Sequence, residues 1–342
     1  MMRPRLLLDA AIALAVLALA WQAVQWGLVR AVFQPDPQAC QALQHTGACW
    51  GVVAAKWPVL LFGHFPYESQ WRAGTATALL LAGGGAWAAA LLAAQPTAAR
   101  LRLVSGLALV GAAVALLLGG WGGLSPVSPT QWGGLPLTLV LALLAWLLAW
   151  PIGVALAYGR WAGAPPVAWG CTTVIELVRG APLVIWLFAA AFAWPALLPE
   201  SWTPGLLLRV LIVLGCFAAA YLAEILRGGL QTVPAEQAEA ARVLGLGWWG
   251  IQRRIVLPQA VRATLPPLVS HAIGLLKDTS LVMVIGLHEL SGSLGLAIGG
   301  DAEWRPFYLE AYITVAAAYA ILCLAIARLG RRLEAAQRPV SV

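Results

Sequence analysis

The chain has 342 residues, of which 61% are hydrophobic and only 10% are charged. Soluble domains contain about 25% charged residues, so this composition excludes an ordinary soluble protein and predicts an all-α protein embedded in a lipid bilayer. The net charge of +7 does not indicate a nucleic-acid partner, because the arginines stand at the ends of apolar segments, as the positive-inside rule describes.

Eight apolar runs are long enough to cross a bilayer, since a crossing helix needs about 20 residues. The first run also resembles a secretion signal with a cleavage site at Ala18-Leu19-Ala20, but the apolar stretch continues beyond it and Asp9 interrupts the would-be signal core. We therefore expect an uncleaved anchor. The predicted spans are residues 6–32, 73–94, 103–119, 135–158, 167–194, 205–227, 265–287 and 308–329.

A mixed segment, residues 33–72, separates the first two spans and is expected to form an external loop. It contains Cys40 and Cys49, which could form a disulfide in an oxidising compartment or remain free. The other three cysteines lie in apolar segments as small hydrophobic side chains. No cysteine has the spacing of a metal site, so we expect no bound metal.

Residues 121–134, WGGLSPVSPTQWGG, are rich in glycine, proline and serine. These residues break regular structure, so the segment is the best domain boundary in the chain. It predicts an N-terminal extension with three spans (1–128), a core with five spans (129–333) and a short tail (334–342).

An even number of spans puts both termini on the same side of the membrane. With eight spans, the side of the termini receives fourteen basic residues and the other side receives five. Basic loops face the cytoplasm, so we expect both termini in the cytoplasm.

The longest polar interruption in the second half of the chain is residues 234–258, PAEQAEAARVLGLGWWGIQRRIVLP, here called the elbow. A proline and then Glu236 favour a helix start. The pattern predicts two short helices broken at Gly245 and Gly247, with the second ended by Pro258. The charge distribution places this elbow in the cytoplasm.

The elbow resembles the EAA loop of the permease subunits of ABC importers. Its residues follow the motif of that loop: Glu239-Ala240-Ala241, three residues, Gly245, nine residues, Ile255, one residue, and Leu257-Pro258. Three further runs resemble the polar-amino-acid branch of that family, namely Glu176 to Leu183, Tyr221 to Gly229, and Lys277 to Leu281. The three-span extension with its long external loop is similar to the larger, M-type permease of general L-amino-acid importers.

This resemblance implies a type I importer core that moves L-amino acids across the inner membrane of a bacterium. The expected partners are ABC ATPase subunits, a second permease subunit that is homologous but not identical, a periplasmic amino-acid-binding protein and the amino-acid substrate. The chain has no GxxxxGK[ST] phosphate loop, so we expect no enzymatic activity, no catalytic residue and no bound cofactor, with ATP used by the partner ATPase. The residues implied to contact the ATPase are Glu239, Ala240, Ala241, Gly245, Ile255, Leu257 and Pro258.

One residue of the elbow departs from the family pattern. Glu236 precedes Gln237, whereas the family usually has glycine there. An alternative is that the elbow lies on the membrane as an amphipathic helix. That would require bulky apolar anchors, and the first predicted helix is mostly alanine.

Charged residues also occur inside apolar spans, where each costs on the order of 2.5–3.5 kcal/mol unless it faces a cavity or a partner. An amino acid is a zwitterion, so a pathway for it needs groups of both signs. The candidates for a substrate pathway or gate are Glu176, Arg179, Asp278, Thr279 and Ser280. Alternatively, Glu176 and Arg179, three residues apart, pair with each other and orient helices.

Two other classes of function are compatible with the composition. An ion-coupled secondary transporter of small polar solutes would share the apolar spans and buried charges, but would not need the elbow. A membrane enzyme would need a catalytic set, and His288-Glu289 only begins an HExxH motif, since Gly292 stands at the position of the second histidine.

Overall fold

The computed structural model describes residues 4–43, 46–91 and 95–337. These residues form helices, turns and two isolated bridges, with no β-strand in the described ranges. The helices are α1 Pro4–Val24, α2 Pro37–Ala42, α3 Gly51–Phe62, α4 Gln70–Leu91, α5 Pro96–Leu118, α6 Gly134–Ala162, α7 Pro165–Gly180, α8 Leu183–Phe188, α9 Trp194–Leu197, α10 Leu206–Thr232, α11 Ala235–Val243, α12 Trp248–Ile251, α13 Leu257–Ala263, α14 Leu265–Asp278, α15 Leu290–Gly299 and α16 Tyr308–Gln337.

The predicted all-α membrane fold is confirmed. In the described part of the chain, seven helices are long and apolar enough to cross a membrane, and a bent helix pair makes an eighth candidate. The ends of the predicted second span (residues 92–94) and of the predicted tail (338–342) lie outside the described residues. The division into a 1–128 extension, a 129–333 core and a 334–342 tail stays a prediction.

The fifth predicted span, residues 167–194, is wrong as a single straight helix. Pro165–Gly180 and Leu183–Leu197 meet at an angle of 98°. Ala181 has an extended backbone, with φ −114° and ψ 144°, because the ring of Pro182 disfavours a helical conformation of the preceding residue. Pro182 also has no N–H to continue the helix.

The chain divides into two compact units, and the first is Met1–Leu60 with Leu294–Ala318. Within it Cys40 and Cys49 form a disulfide, with Cα atoms 5.4 Å apart. The Cys49 N–H donates to Glu310 Oε1 over 2.8 Å, and Lys56 Nζ lies 2.7 Å from Asp301 Oδ2. The disulfide packs in a small core with Val52, Trp304 and Phe307. The predicted external loop is therefore tied to the first turn of α16.

The second unit is Leu61–Ser293 with Tyr319–Val342, and its core forms between α6 and α10. Leu214, Ala218 and Leu222 follow one face of α10 and are fully buried. Gly153 of α6 allows the helices to approach closely, since a Cβ there would lie 3.1 Å from the Ala219 carbonyl oxygen. Small residues at contacts are how membrane helices pack, because lipid supplies no hydrophobic drive between helices.

A buried arginine caps the C-terminal end of α5. Arg72 of α4 is 1% exposed, and its guanidinium donates to the carbonyl oxygens of Leu116, Leu117 and Ser125 over 2.8–3.2 Å. The last carbonyls of a helix have no partner in the helix and carry partial negative charge. Arg72 therefore satisfies these groups and joins α4 to α5.

We expect Arg72→Met to destabilise the protein by about 3 kcal/mol, since each buried polar group left unsatisfied costs roughly 1–3 kcal/mol. Thermal unfolding of the detergent-purified protein would measure this change. Arg102→Met is the matched control, because exposed Arg102 makes one hydrogen bond, to the Ala89 carbonyl. Equal stability of the two variants would contradict the assigned role of Arg72.

Candidate functional site

The turn of the elbow is a Schellman motif built around Gly245. Gly245 has φ +82°, a left-handed conformation that favours glycine. The Gly245 N–H donates to the Arg242 carbonyl over 2.9 Å, and the Leu246 N–H donates to the Ala241 carbonyl over 3.1 Å. These are the two hydrogen bonds that end a helix in this motif. The glycine of the EAA spacing is thus the residue that stops α11 and turns the chain.

The predicted end of the second helix at Pro258 is wrong. The helix continues from α12 through a π turn, Gln252–Val256, into α13, and breaks only at Thr264. A proline lacks an N–H and crowds the carbonyl four residues earlier. The wider π turn brings the chain past that obstacle, with the Leu257 N–H donating to the Gln252 carbonyl.

The structure divides the predicted coupling residues by exposure. Glu239, Ala240 and Gly245 are exposed on the elbow, whereas Ala241 is buried against the core of its own unit. The remaining three, Ile255, Leu257 and Pro258, are half-buried on the following helix. The surface that the elbow offers to a partner therefore consists of the outer face of α11 and the turn.

Sequence reasoning missed the apolar character of that surface. Val243 is 89% exposed and Leu244 81%, and Trp249 of the neighbouring α12 is 79% exposed. Exposed apolar side chains that cluster on one surface mark interaction sites. The signal was present in the letters VLGLGWW, which lie outside any predicted span.

One of the charges predicted inside the spans, Glu176, belongs to a network that the sequence did not indicate. Glu176 of α7 pairs with Arg160 of α6 over 3.2 Å, rather than with Arg179. Arg160 also lies 2.9 Å from Glu224 of α10, and Glu224 pairs with Arg227 one turn later. Four charged groups thus join the ends of three helices.

Arg179 has a different environment. The carbon of its guanidinium lies 5.2 Å from the ring centroid of Tyr221, a cation–π distance. Tyr221 neighbours His271 at 6.0 Å, and His271 neighbours Trp146 at 5.5 Å. Arg179 therefore stands at one end of a row of rings from α10, α14 and α6.

Asp278, Thr279 and Ser280 lie where α14 changes into a 3₁₀ helix. Thr279 is fully buried and donates to the Leu276 carbonyl over 2.7 Å, while Asp278 and Ser280 are half-buried. Among the described residues, no ion pair joins Asp278 to Arg179. The two predicted groups of pathway residues are thus not joined by an ion pair among the described residues.

A buried carboxylate was missed in the sequence. Glu289 is fully buried at the start of α15. It accepts hydrogen bonds from the Ser291 and Gly292 N–H groups, both at 2.9 Å, and from the Tyr319 hydroxyl at 2.6 Å. The Thr138 hydroxyl lies 3.3 Å away. Glu289 is therefore a helix cap that joins α6, α15 and α16, and not part of a metal-binding HExxH motif.

The two glutamates of the charged network are expected to contribute differently to the stability of the protein. We expect Glu224→Gln to destabilise the protein by about 1.5–3 kcal/mol, the range of hydrogen bonds to charged groups, because Glu224 serves both Arg160 and Arg227. Glu176→Gln should cost less than about 0.5 kcal/mol, since Glu176 is exposed and surface pairs contribute little. Thermal unfolding of the two variants side by side measures the difference, and a larger loss for Glu176→Gln would contradict it.

Comparisons with known proteins agree with this arrangement. Residues 150–339 match the family model described as "Binding-protein-dependent transport system inner membrane component". The chain is 36% identical to the inner membrane amino-acid ABC transporter permease protein YhdY of Escherichia coli, over 84% of this chain and 77% of that protein. It is 34% identical to the glutamate/glutamine/aspartate/asparagine transport system permease protein BztC of Rhodobacter capsulatus, over 84% and 79%.

A solved structure of an amino acid ABC transporter with histidines is also similar. It has 29% sequence identity and a TM-score of 0.50, and the match covers 58% of this chain and 89% of that chain. The family model covers the bent pair, the elbow and the last three candidate spans. This chain therefore belongs to the binding-protein-dependent transport system inner membrane components, the family that the elbow motif predicted.

Proposed function

We propose that this chain is the membrane-spanning permease subunit of an ABC importer that moves L-amino acids across a bacterial inner membrane. The observation that carries the proposal is the complete EAA spacing on an exposed, glycine-closed elbow in a chain that matches the permease family over residues 150–339. The names of the two permeases reported above, an amino-acid permease and a glutamate/glutamine/aspartate/asparagine permease, support amino acids as the substrate class.

Membership of this family implies an ATPase and a binding protein as partners. The elbow would be the contact with the ATPase, with Glu239 as a charged anchor and Val243 and Leu244 as apolar contacts. Closure of the ATPase pair would move α11, and this movement would be transmitted to the helices of the core through buried Ala241. The chain itself would bind no cofactor, and ATP would be used by the partner.

Three finer assignments complete the proposal. The match to the two longer permeases covers 84% of the chain, whereas residues 129–333 make up only about 60% of it. This supports an M-type permease with an N-terminal extension, which would work beside a homologous, non-identical permease. The excess of arginine on the side of the elbow supports cytoplasmic termini.

Reconstitution tests the function against the ion-coupled alternative. The chain, purified in mild detergent with the proteins that co-purify, is placed in liposomes, and uptake of labelled glutamate, glutamine, arginine and leucine is measured with the matching binding protein. Uptake that requires ATP inside the liposomes and survives collapse of the ion gradients is expected. Uptake that persists without ATP and stops when the gradients collapse would overturn the proposal.

Asp278→Asn tests the substrate pathway. We expect a change of roughly tenfold in the KM or maximal rate of uptake with normal accumulation in the membrane, because a half-buried carboxylate facing a zwitterion would attract its ammonium group. Lys277→Gln is the control, since exposed Lys277 is the adjacent residue on α14. Unchanged transport kinetics with lowered accumulation would show that Asp278 is a structural charge.

A further inference from the structure

An open pocket of about 490 Å³ lies between the start of α5 and the elbow. It is lined by Arg100 of α5 and by Trp249, Gly250, Arg253 and Arg254 of the elbow. All five residues belong to the second compact unit. The pocket combines one residue of the predicted N-terminal extension with the polar segment that carries the EAA spacing.

The three arginines of this pocket have no counter-charge in the part of the chain that the structure describes. All three are exposed, and none takes part in the four ion pairs found among the described residues. Like charges that converge without an acidic partner repel one another, so the arrangement favours an anion. Guanidinium groups match the planar array of phosphate oxygens and bind phosphate in a bidentate manner.

The position of the pocket along α5 indicates where the phosphate comes from. Arg100 is three residues past the start of the candidate span Thr97–Leu118, so in a bilayer its side chain would lie at the depth of the lipid headgroups. Exposed Leu101 follows Arg100 directly and exposed Val104 lies one turn further along α5, so apolar surface continues from the pocket toward the bilayer interior. Trp249 supplies an indole, a side chain enriched at membrane–water interfaces.

We propose that this pocket binds the phosphate headgroup of an anionic phospholipid and holds the elbow against the membrane surface. Basic pockets at the cytoplasmic ends of membrane helices suit such headgroups. The phosphate would lie between the guanidinium groups of Arg100, Arg253 and Arg254, and the acyl chains would follow Leu101 and Val104. The site is separate from the exposed face of α11 that would contact the ATPase, so it is independent of the substrate and of the energy source.

Native mass spectrometry of the detergent-purified complex, titrated with cardiolipin and with phosphatidylcholine, tests the proposal. We expect a selective cardiolipin adduct in the wild type and a loss of affinity on the order of 100-fold in the triple variant Arg100→Gln, Arg253→Gln, Arg254→Gln, since each basic residue near an anionic surface contributes roughly fivefold. The control is Arg328→Gln, Arg331→Gln, Arg332→Gln, which removes the same charge from exposed residues of α16. It should bind cardiolipin like the wild type.

Other outcomes would overturn the site. Equal cardiolipin binding by both triple variants would show that the pocket is not the binding site, or that only net charge matters. Displacement of cardiolipin by glycerol phosphate or inorganic phosphate at equal concentrations would identify a soluble anion as the ligand. Loss of the co-purifying ATPase from the pocket variant with cardiolipin binding intact would assign the arginines to the protein interface.

Discussion

The Glu239→Lys substitution is expected to lower ATP-driven uptake by at least tenfold while the complex still assembles in the membrane. Glu239 is exposed on α11 and makes no ion pair with any described residue, so its replacement should leave the fold unchanged. In the proposed complex, a reversed charge at the ATPase contact would break a charged pair, and such changes cost roughly 2–5 kcal/mol. Hydrolysis and uptake measured together in proteoliposomes would reveal the uncoupling.

Two companion variants make this result specific. Glu303→Lys makes the same charge change on an exposed loop before α16 and should leave uptake unchanged. Glu236→Gly restores the residue usual in the family and should keep uptake at or above the level of the original chain. Normal uptake by the Glu239→Lys variant would remove the elbow from the coupling mechanism.

The largest effect on stability is expected at Glu289. Replacement by alanine leaves the N–H groups of Ser291 and Gly292 and the Tyr319 hydroxyl without their acceptor in a fully buried site. Each unsatisfied group costs roughly 1–3 kcal/mol, so we expect a loss of at least 3 kcal/mol and poor accumulation in the membrane. Thermal unfolding and membrane yield are the measurements.

Tyr319→Phe tests how much of this stability comes from the hydrogen bond between the Tyr319 hydroxyl and Glu289. It removes one donor to Glu289 and leaves the two backbone donors in place, so the expected loss is about 1.5–3 kcal/mol. An alanine variant of Glu289 that is as stable as the original chain would show that the carboxylate is not needed as a cap.

Much of the fold follows from the length of apolar runs, because a bilayer accepts few structures other than a long apolar helix. The bend in the fifth span was not predicted because the apolar run continues through Ala181-Pro182, although that dipeptide disfavours a helix. The helix through Pro258 depends on a π turn, a backbone adjustment that hydrophobicity does not report.

The turn of the elbow was predictable because one local motif contains it, whereas the charged network was not, because helix packing assembles it. The spacing from Glu239 to Pro258 is local, so it identified the elbow directly. Glu176 instead meets Arg160, sixteen residues earlier, because α6 and α7 pack side by side. Pairing with Arg179 was only the nearest alternative in the sequence.

Because main-chain hydrogen bonds close the turn of the elbow at Gly245, the rigidity of the turn does not depend on the exposed side chains that would contact a partner. A turn transmits force only if it is rigid, and two main-chain hydrogen bonds close this one at Gly245. In the proposed complex, Val243 and Leu244 could therefore be changed to suit a different ATPase without loosening the turn. An engineer who wished to retarget the permease would alter those residues and keep the glycine.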